Sequence, residues 1–75
     1  MLENINDLFT EHVGDVTGFD EASGLGVVTS DAGDAIAFHC ISIADGTRTI
    51  APGTRVRFSV AFRVKRVEAV NLVAL

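Results

Sequence analysis

Between Thr54 and Lys65 the chain alternates with period two. Val56, Phe58, Val60, Phe62 and Val64 fall on one side, and Arg55, Arg57, Ser59, Ala61, Arg63 and Lys65 fall on the other. Successive side chains of a β-strand point to opposite faces, so a run of this length specifies a strand with one buried face and one wet face. A strand with a single apolar face must find others to pair with and a core to cover. The residues that follow, Val67–Leu75, are rich in Val and Leu and read as its partner, with a turn within Arg63–Arg66.

The first half supplies the remaining strands. Val13–Phe19 reads as a strand, Asp20-Glu21-Ala22-Ser23-Gly24 as a turn, and Leu25–Thr29 as a second strand. Ser30-Asp31-Ala32-Gly33-Asp34 has turn chemistry, since Gly supplies positive φ and Asp and Ser bond back to the backbone. Ala35–Cys40 is then a third strand, closing a hairpin with the second, and Phe38 joins Ile36 and Val28 in the core. Asp45-Gly46-Thr47 and Ala51-Pro52-Gly53 bracket a long loop before the fourth strand. Five short strands at hairpin spacing indicate an all-β domain, a small closed barrel or a sandwich.

Residues 1–12 differ from the rest. Leu2, Ile5, Leu8 and Phe9 recur at helical spacing, so this extension reads as a short amphipathic helical turn preceding a domain of residues 13–75. A chain of 75 residues with 48% apolar and 21% charged residues has enough for one compact domain. A single cysteine, Cys40, excludes an intrachain disulfide, and no Cys/His cluster has zinc-ligand spacing. No metal or cofactor is expected, and one unpaired cysteine fits the reducing cytoplasm. The most apolar stretch, Ala35 to Ala44, is interrupted by His39 and Ser42. It is about half the roughly 18–20 residues that span a bilayer. No basic region precedes an apolar run at the N-terminus, so neither membrane insertion nor secretion is expected.

The net charge of −4 conceals an asymmetry. Residues 1–45 hold nine acids and no Lys or Arg, whereas residues 46–75 hold six bases and the single acid Glu68. An acidic total argues against strong nonspecific polyanion binding, which depends on Lys and Arg neutralising phosphates. The two signs can pair across a sheet, with Arg55 and Arg57 meeting acids of the first half, or a local basic patch can guide a strand across one face.

The order of segments carries more information than any one of them. Val13-Gly14-Asp15-Val16-Thr17-Gly18-Phe19, then Ser23-Gly24-Leu25-Gly26-Val27-Val28, then Phe38-His39-Cys40 resembles the bacterial cold-shock domain. Ile43, the loop, Gly53-Thr54-Arg55-Val56-Arg57-Phe58 and Glu68-Ala69-Val70-Asn71-Leu72 continue the likeness over residues 13–75. The resemblance implies a five-stranded antiparallel Greek-key barrel of the OB type that binds single-stranded RNA or DNA. Family members place outward rings on two adjacent strands, in segments resembling Gly-aromatic-Gly-Phe-Ile and Val-Phe-Val-His-Phe. Here Leu25 and Val27 replace rings of the first segment, Ala37 and Cys40 those of the second, and Gly18 stands in the place of a tryptophan. Thr17 and Ser23 occupy positions that usually hold lysines.

The resemblance therefore implies a nucleic-acid face on strands 2 and 3 formed by Phe19, Leu25, Val27 and His39, with Arg63, Lys65 and Arg66 at its margin. Stacking on an aromatic ring is worth about 1–3 kcal/mol per base, so loss of five platforms implies weak binding. Phe19 is read either as a stacking ring or as a residue covering the core at the barrel edge. Leu25, Val27 and Ala37 make an exposed apolar patch, which equally fits a protein partner or a second copy, or cover by the N-terminal segment. No residues suggest catalysis. Gly24-Leu25-Gly26 lacks the glycine and helix of a phosphate loop. His39 and Cys40, as strand neighbours, are expected on opposite faces.

Overall fold

In the computed structural model, residues 11–63 and 66–75 are described, those of Arg63 and Arg66 for backbone only. The helical reading of residues 1–10, and the placing of Val64 and Lys65, lie outside the described residues. The strands are β1 (His12–Asp20), β2 (Leu25–Ser30), β3 (Ala35–His39), β4 (Arg55–Arg63) and β5 (Arg66–Ala74). They close into a barrel in the order β1-β2-β3-β5-β4. All neighbouring pairs are antiparallel except β3 and β5, which meet in parallel at Ala37 and Glu68. A parallel bridge between Ile43 and Leu72 extends that seam.

The core is the inner parity of each strand. Val16, Val28, Phe38, Ile43, Val56, Phe58, Val60, Ala69 and Leu72 are all buried, together with Cys40. Val56, Phe58 and Val60 confirm the period-two reading of β4, but Phe62 does not, being 66% exposed. It keeps inward parity, yet β4 pairs with β1 only as far as Phe58–His12 among the described residues, and Phe62 lies four positions further along. Alternation fixes which face a residue takes; only a neighbouring layer buries it.

Two irregularities shape the barrel. On β1, Val16 pairs with Val28 and Gly18 with Val27, so Thr17 is an extra residue. A bulge of this kind reverses the faces beyond it. On β5, Asn71 and Leu72 stand against Phe58 alone, and Asn71 takes a left-handed φ of 55°. Asn tolerates that conformation better than most side chains.

The turns follow their sequence chemistry. Asp20 accepts from the Ala22 amide at 3.0 Å and from Ser23 Oγ at 3.1 Å, so this carboxylate shapes the β1–β2 turn. Ser30 Oγ accepts from the Asp34 amide at 3.2 Å in the β2–β3 turn. At the end of the long loop the Gly53 amide donates to Val16 O at 2.6 Å, and the Val16 amide donates to Thr54 O at 2.9 Å. The loop is thereby tied to the middle of β1. No described helix is long and apolar enough to cross a membrane.

Candidate nucleic-acid interface

The outer face of β2 and β3 can be built row by row from the register. One row runs Asp20–Leu25–His39 across β1, β2 and β3, and the next runs Gly18–Val27–Ala37–Glu68 from β1 to β5. These rows border a groove of about 710 Å³, lined also by Phe19, Gly26 and Ile41. Leu25 is 55% exposed, Val27 37% and Ile41 74%, so its surface is apolar and accessible. Among the described residues its Asp and Glu lining members are Asp20 and Glu68.

The structure brings Phe19, Leu25, Val27 and His39 together in this groove. Leu25 and Val27 face outward as the alternation requires. Phe19 arrives differently. The bulge at Thr17 sets it opposite Gly26, which is buried on the inner face, and its ring stacks on Phe38 with centroids 6.0 Å apart and planes 11° apart. A Cβ at Gly26 would lie 2.7 Å from Phe38 Cε1, so only glycine leaves room for the core ring to reach its neighbour. Phe19 is consequently packed against the core while it borders the groove. That is the edge-covering alternative of the sequence reading.

At His39 and Cys40 the end of the third strand is corrected: it stops one residue before the expected Cys40. His39 lines the groove and Cys40 is buried in the core, on opposite sides as expected, but β3 ends at His39 and the chain turns into one 3-10 turn, Cys40–Ser42, so the two side chains still meet. His39 Nδ1 accepts from the Ile41 amide at 3.3 Å, and Cys40 Sγ lies 3.7 Å from the same nitrogen. With Nδ1 accepting, neutral His39 carries its proton on Nε2. Cys40 is only 7% exposed, and a Cβ at Gly24 would come within 2.9 Å of its sulfur. The position at which the family presents an outward ring is therefore part of the core here.

The bases divide into two groups. Arg55 holds Asp31 through two contacts of 2.8 and 2.6 Å and reaches Asp15 at 3.4 Å. Hydrogen bonding from Arg55 lowers the Asp31 carboxyl below its ordinary value, and the same bonds raise the guanidinium further. Arg57 Nε lies 3.2 Å from Glu11. These pairs are exposed and contribute little stability individually, but they show that Arg55 and Arg57 of β4 meet acids of the first half. A second concavity at that end, lined by Glu11, His12, Asp31 and Ile36 among others, is bordered by these paired acids. Arg63 and Arg66 pair at the end of the β4–β5 hairpin, two positions from Ala61–Glu68. That places their backbone beside the β5 margin of the groove.

Ile41 and Glu68 were not legible as groove residues. Ile41 follows from the 3-10 turn, and Glu68 from the parallel β3–β5 contact. Among the described residues, no group of three or more His, Cys, Asp and Glu could hold a metal ion.

A small closed barrel with an outward groove on β2 and β3 defines an OB-type binding domain. The family model described as "'Cold-shock' DNA-binding domain" matches residues 12–75, and the chain belongs to the cold-shock domain family. It is 42% identical over 62 residues to cold shock-like protein CspG of Shewanella violacea, covering 80% of this chain and 89% of that protein. It is 40% identical over 68 residues to cold shock protein CspV of Vibrio cholerae, covering 88% and 97%. Among solved structures, Drosophila Unr CSD456 superposes with a TM-score of 0.73 at 22% identity. That match covers 88% of this chain and 27% of the Drosophila chain, and it speaks to the fold alone.

Proposed function

We propose that this domain binds single-stranded RNA or DNA weakly, through the outer face of β2 and β3, as a cytoplasmic module without catalysis. The observation that carries the reading is the groove itself. In a chain of the cold-shock family, Phe19, Leu25, Val27 and His39 border one accessible apolar concavity on adjacent strands. Bases lie over Leu25 and Val27, with the Nε2–H of His39 available to an acceptor and the edge of Phe19 at one side. In this reading Arg63, Lys65 and Arg66 of the last hairpin hold phosphates. Arg55 and Arg57 do not contribute, because their acids already hold them.

The test is a titration of fluorescent single-stranded oligonucleotides, DNA and RNA, at several salt concentrations. Three bases neutralising three phosphates give a slope of log affinity against log salt of about −2, and Lys65→Ala reduces it by about 0.7. Phe19→Ala and His39→Ala each weaken binding, by roughly 5-fold or more if each ring is worth about 1 kcal/mol. Binding unchanged in both variants rules out this placement.

A second reading is favoured by the groove's chemistry. Among the described residues its lining is mostly apolar and its Asp and Glu members are Asp20 and Glu68. Such a surface suits a protein partner or a second copy at least as well as a phosphate backbone.

A further inference from the structure

We infer that His39 is a proton-operated catch on the groove: its neutral ring caps the turn that carries Ile41, and its protonated ring releases that cap and turns a charge toward a bound strand. The effect on binding rests on the nucleic-acid reading above; the release itself belongs to the free protein.

The 3-10 turn Cys40–Ser42 is secured by backbone on either side of Ile41. The Cys40 amide donates to Gly24 O at 2.7 Å, and the Ile43 amide donates to Cys40 O at 3.1 Å. The Ile41 amide donates instead to the half-buried His39 ring, at 3.3 Å from Nδ1. Cys40 Sγ sits 3.7 Å from the same nitrogen. A ring nitrogen accepts only while it carries no proton, and both nitrogens of an imidazolium are donors. Protonation therefore sets an N–H against the Ile41 N–H, and the cap cannot survive it. The freed amide turns to water, as an uncapped amide at the start of a helical turn must.

The titratable groups that border the ring, among the described residues, are the Cys40 thiol on its own turn, Asp20 from β1 and Glu68 from β5. Both carboxylates favour the imidazolium, in opposition to the cap. In the capped state the ring offers a strand one neutral donor, Nε2–H. Once released it offers a charge-assisted bond to a phosphate oxygen, about twice as strong as a neutral one. Ile41 lines the same groove, so the apolar end of the surface is freed by the same proton. Histidine changes charge between about pH 5 and 8, so the catch operates near neutrality.

Two titrations of the full chain, from about pH 8 to about pH 5.5, test the inference. In the free protein, nuclear magnetic resonance follows the His39 ring and the Ile41 amide together, and the amide is expected to shift in step with ring protonation. In His39→Asn, where Oδ1 replaces Nδ1 as the acceptor and does not titrate, the amide stays in place. With a fluorescent single-stranded pyrimidine oligonucleotide, wild-type affinity rises roughly tenfold toward acid. Its slope of log affinity against log salt also steepens there by about 0.7. Both dependences vanish in His39→Asn.

An Ile41 amide indifferent to ring protonation overturns the inference, whatever the oligonucleotide does. So does a wild-type affinity that is flat with pH, or one that rises equally in His39→Asn. An oligonucleotide that binds at no pH, while Ile41 still follows the ring, supports the catch and overturns the nucleic-acid reading instead.

Discussion

The two faces of β2 and β3 are drawn from alternate residues of the same strands, yet they carry different loads. Inward, Val28 and Phe38 are buried to 0% and 2% exposure and hold the barrel together. Outward, Leu25, Val27 and Ala37 stand where the family carries rings. Because neighbouring residues of a strand share a backbone but not a face, the core can be kept while the surface is rewritten. The fold of this chain is a property of one parity, and the face proposed for its ligand a property of the other.

The sharpest way to break that comparison is to cut one residue on each side. Phe38→Ala costs about 3–5 kcal/mol. That equals the whole stability typical of so short a domain. The variant is therefore expected to be unfolded at room temperature by circular dichroism, whereas Val27→Ser changes the unfolding free energy from urea titration by no more than about 0.5 kcal/mol. Equal losses from both would mean that the outer face is structural after all.

The comparison can be sharpened by restoring a ring. A Cβ at Gly18 meets nothing within 4 Å, so a large side chain fits there beside Val27. Gly18→Trp is expected to raise single-strand affinity by roughly 5- to 150-fold, for one base stacked at about 1–3 kcal/mol. Since the chain has no tryptophan of its own, quenching of the new fluorophore reports the binding directly.

The smallest effect tests the ion pair between Arg55 on β4 and Asp31 in the β2–β3 turn. Hydrogen bonding from Arg55 depresses the Asp31 carboxyl below 3.8. A depressed carboxyl contributes stability above its ordinary value, and that contribution disappears as pH falls through the lowered one. Wild type is therefore slightly more stable than Asp31→Asn near neutral pH, and the gap closes in acid. Paired urea midpoints across pH measure it, and a gap that widened in acid would contradict the pairing.

Much of this architecture was legible in the residues. Val56, Phe58 and Val60 announced β4 by alternation, and Asp, Ser and Gly announced the turns. What alternation cannot encode is the layer above a residue, and so Phe62 was placed inside. Single inserted residues leave no trace in composition either. Thr17 therefore gave no sign that Phe19 would turn toward Phe38, nor Asn71 that β5 would bend between two neighbours. At the groove, Leu25, Val27 and His39 could be placed because strand parity is local. Glu68 could not, because its position depends on a parallel contact between distant segments. Cys40 was assigned to a strand that in fact ends one residue earlier, although its inward side is the one the alternation from Phe38 requires.

The stack of Phe19 on Phe38 through the gap at Gly26 joins the groove to the interior. A ligand that draws Phe19 outward uncovers the ring beneath it, and the amides of Val28 and Phe38 then exchange with solvent faster. A ligand that settles on Phe19 where it lies seals the same opening, and those amides slow. The barrel thus contains its own gauge: protons deep in the wall register which way a molecule on the outside has come to rest.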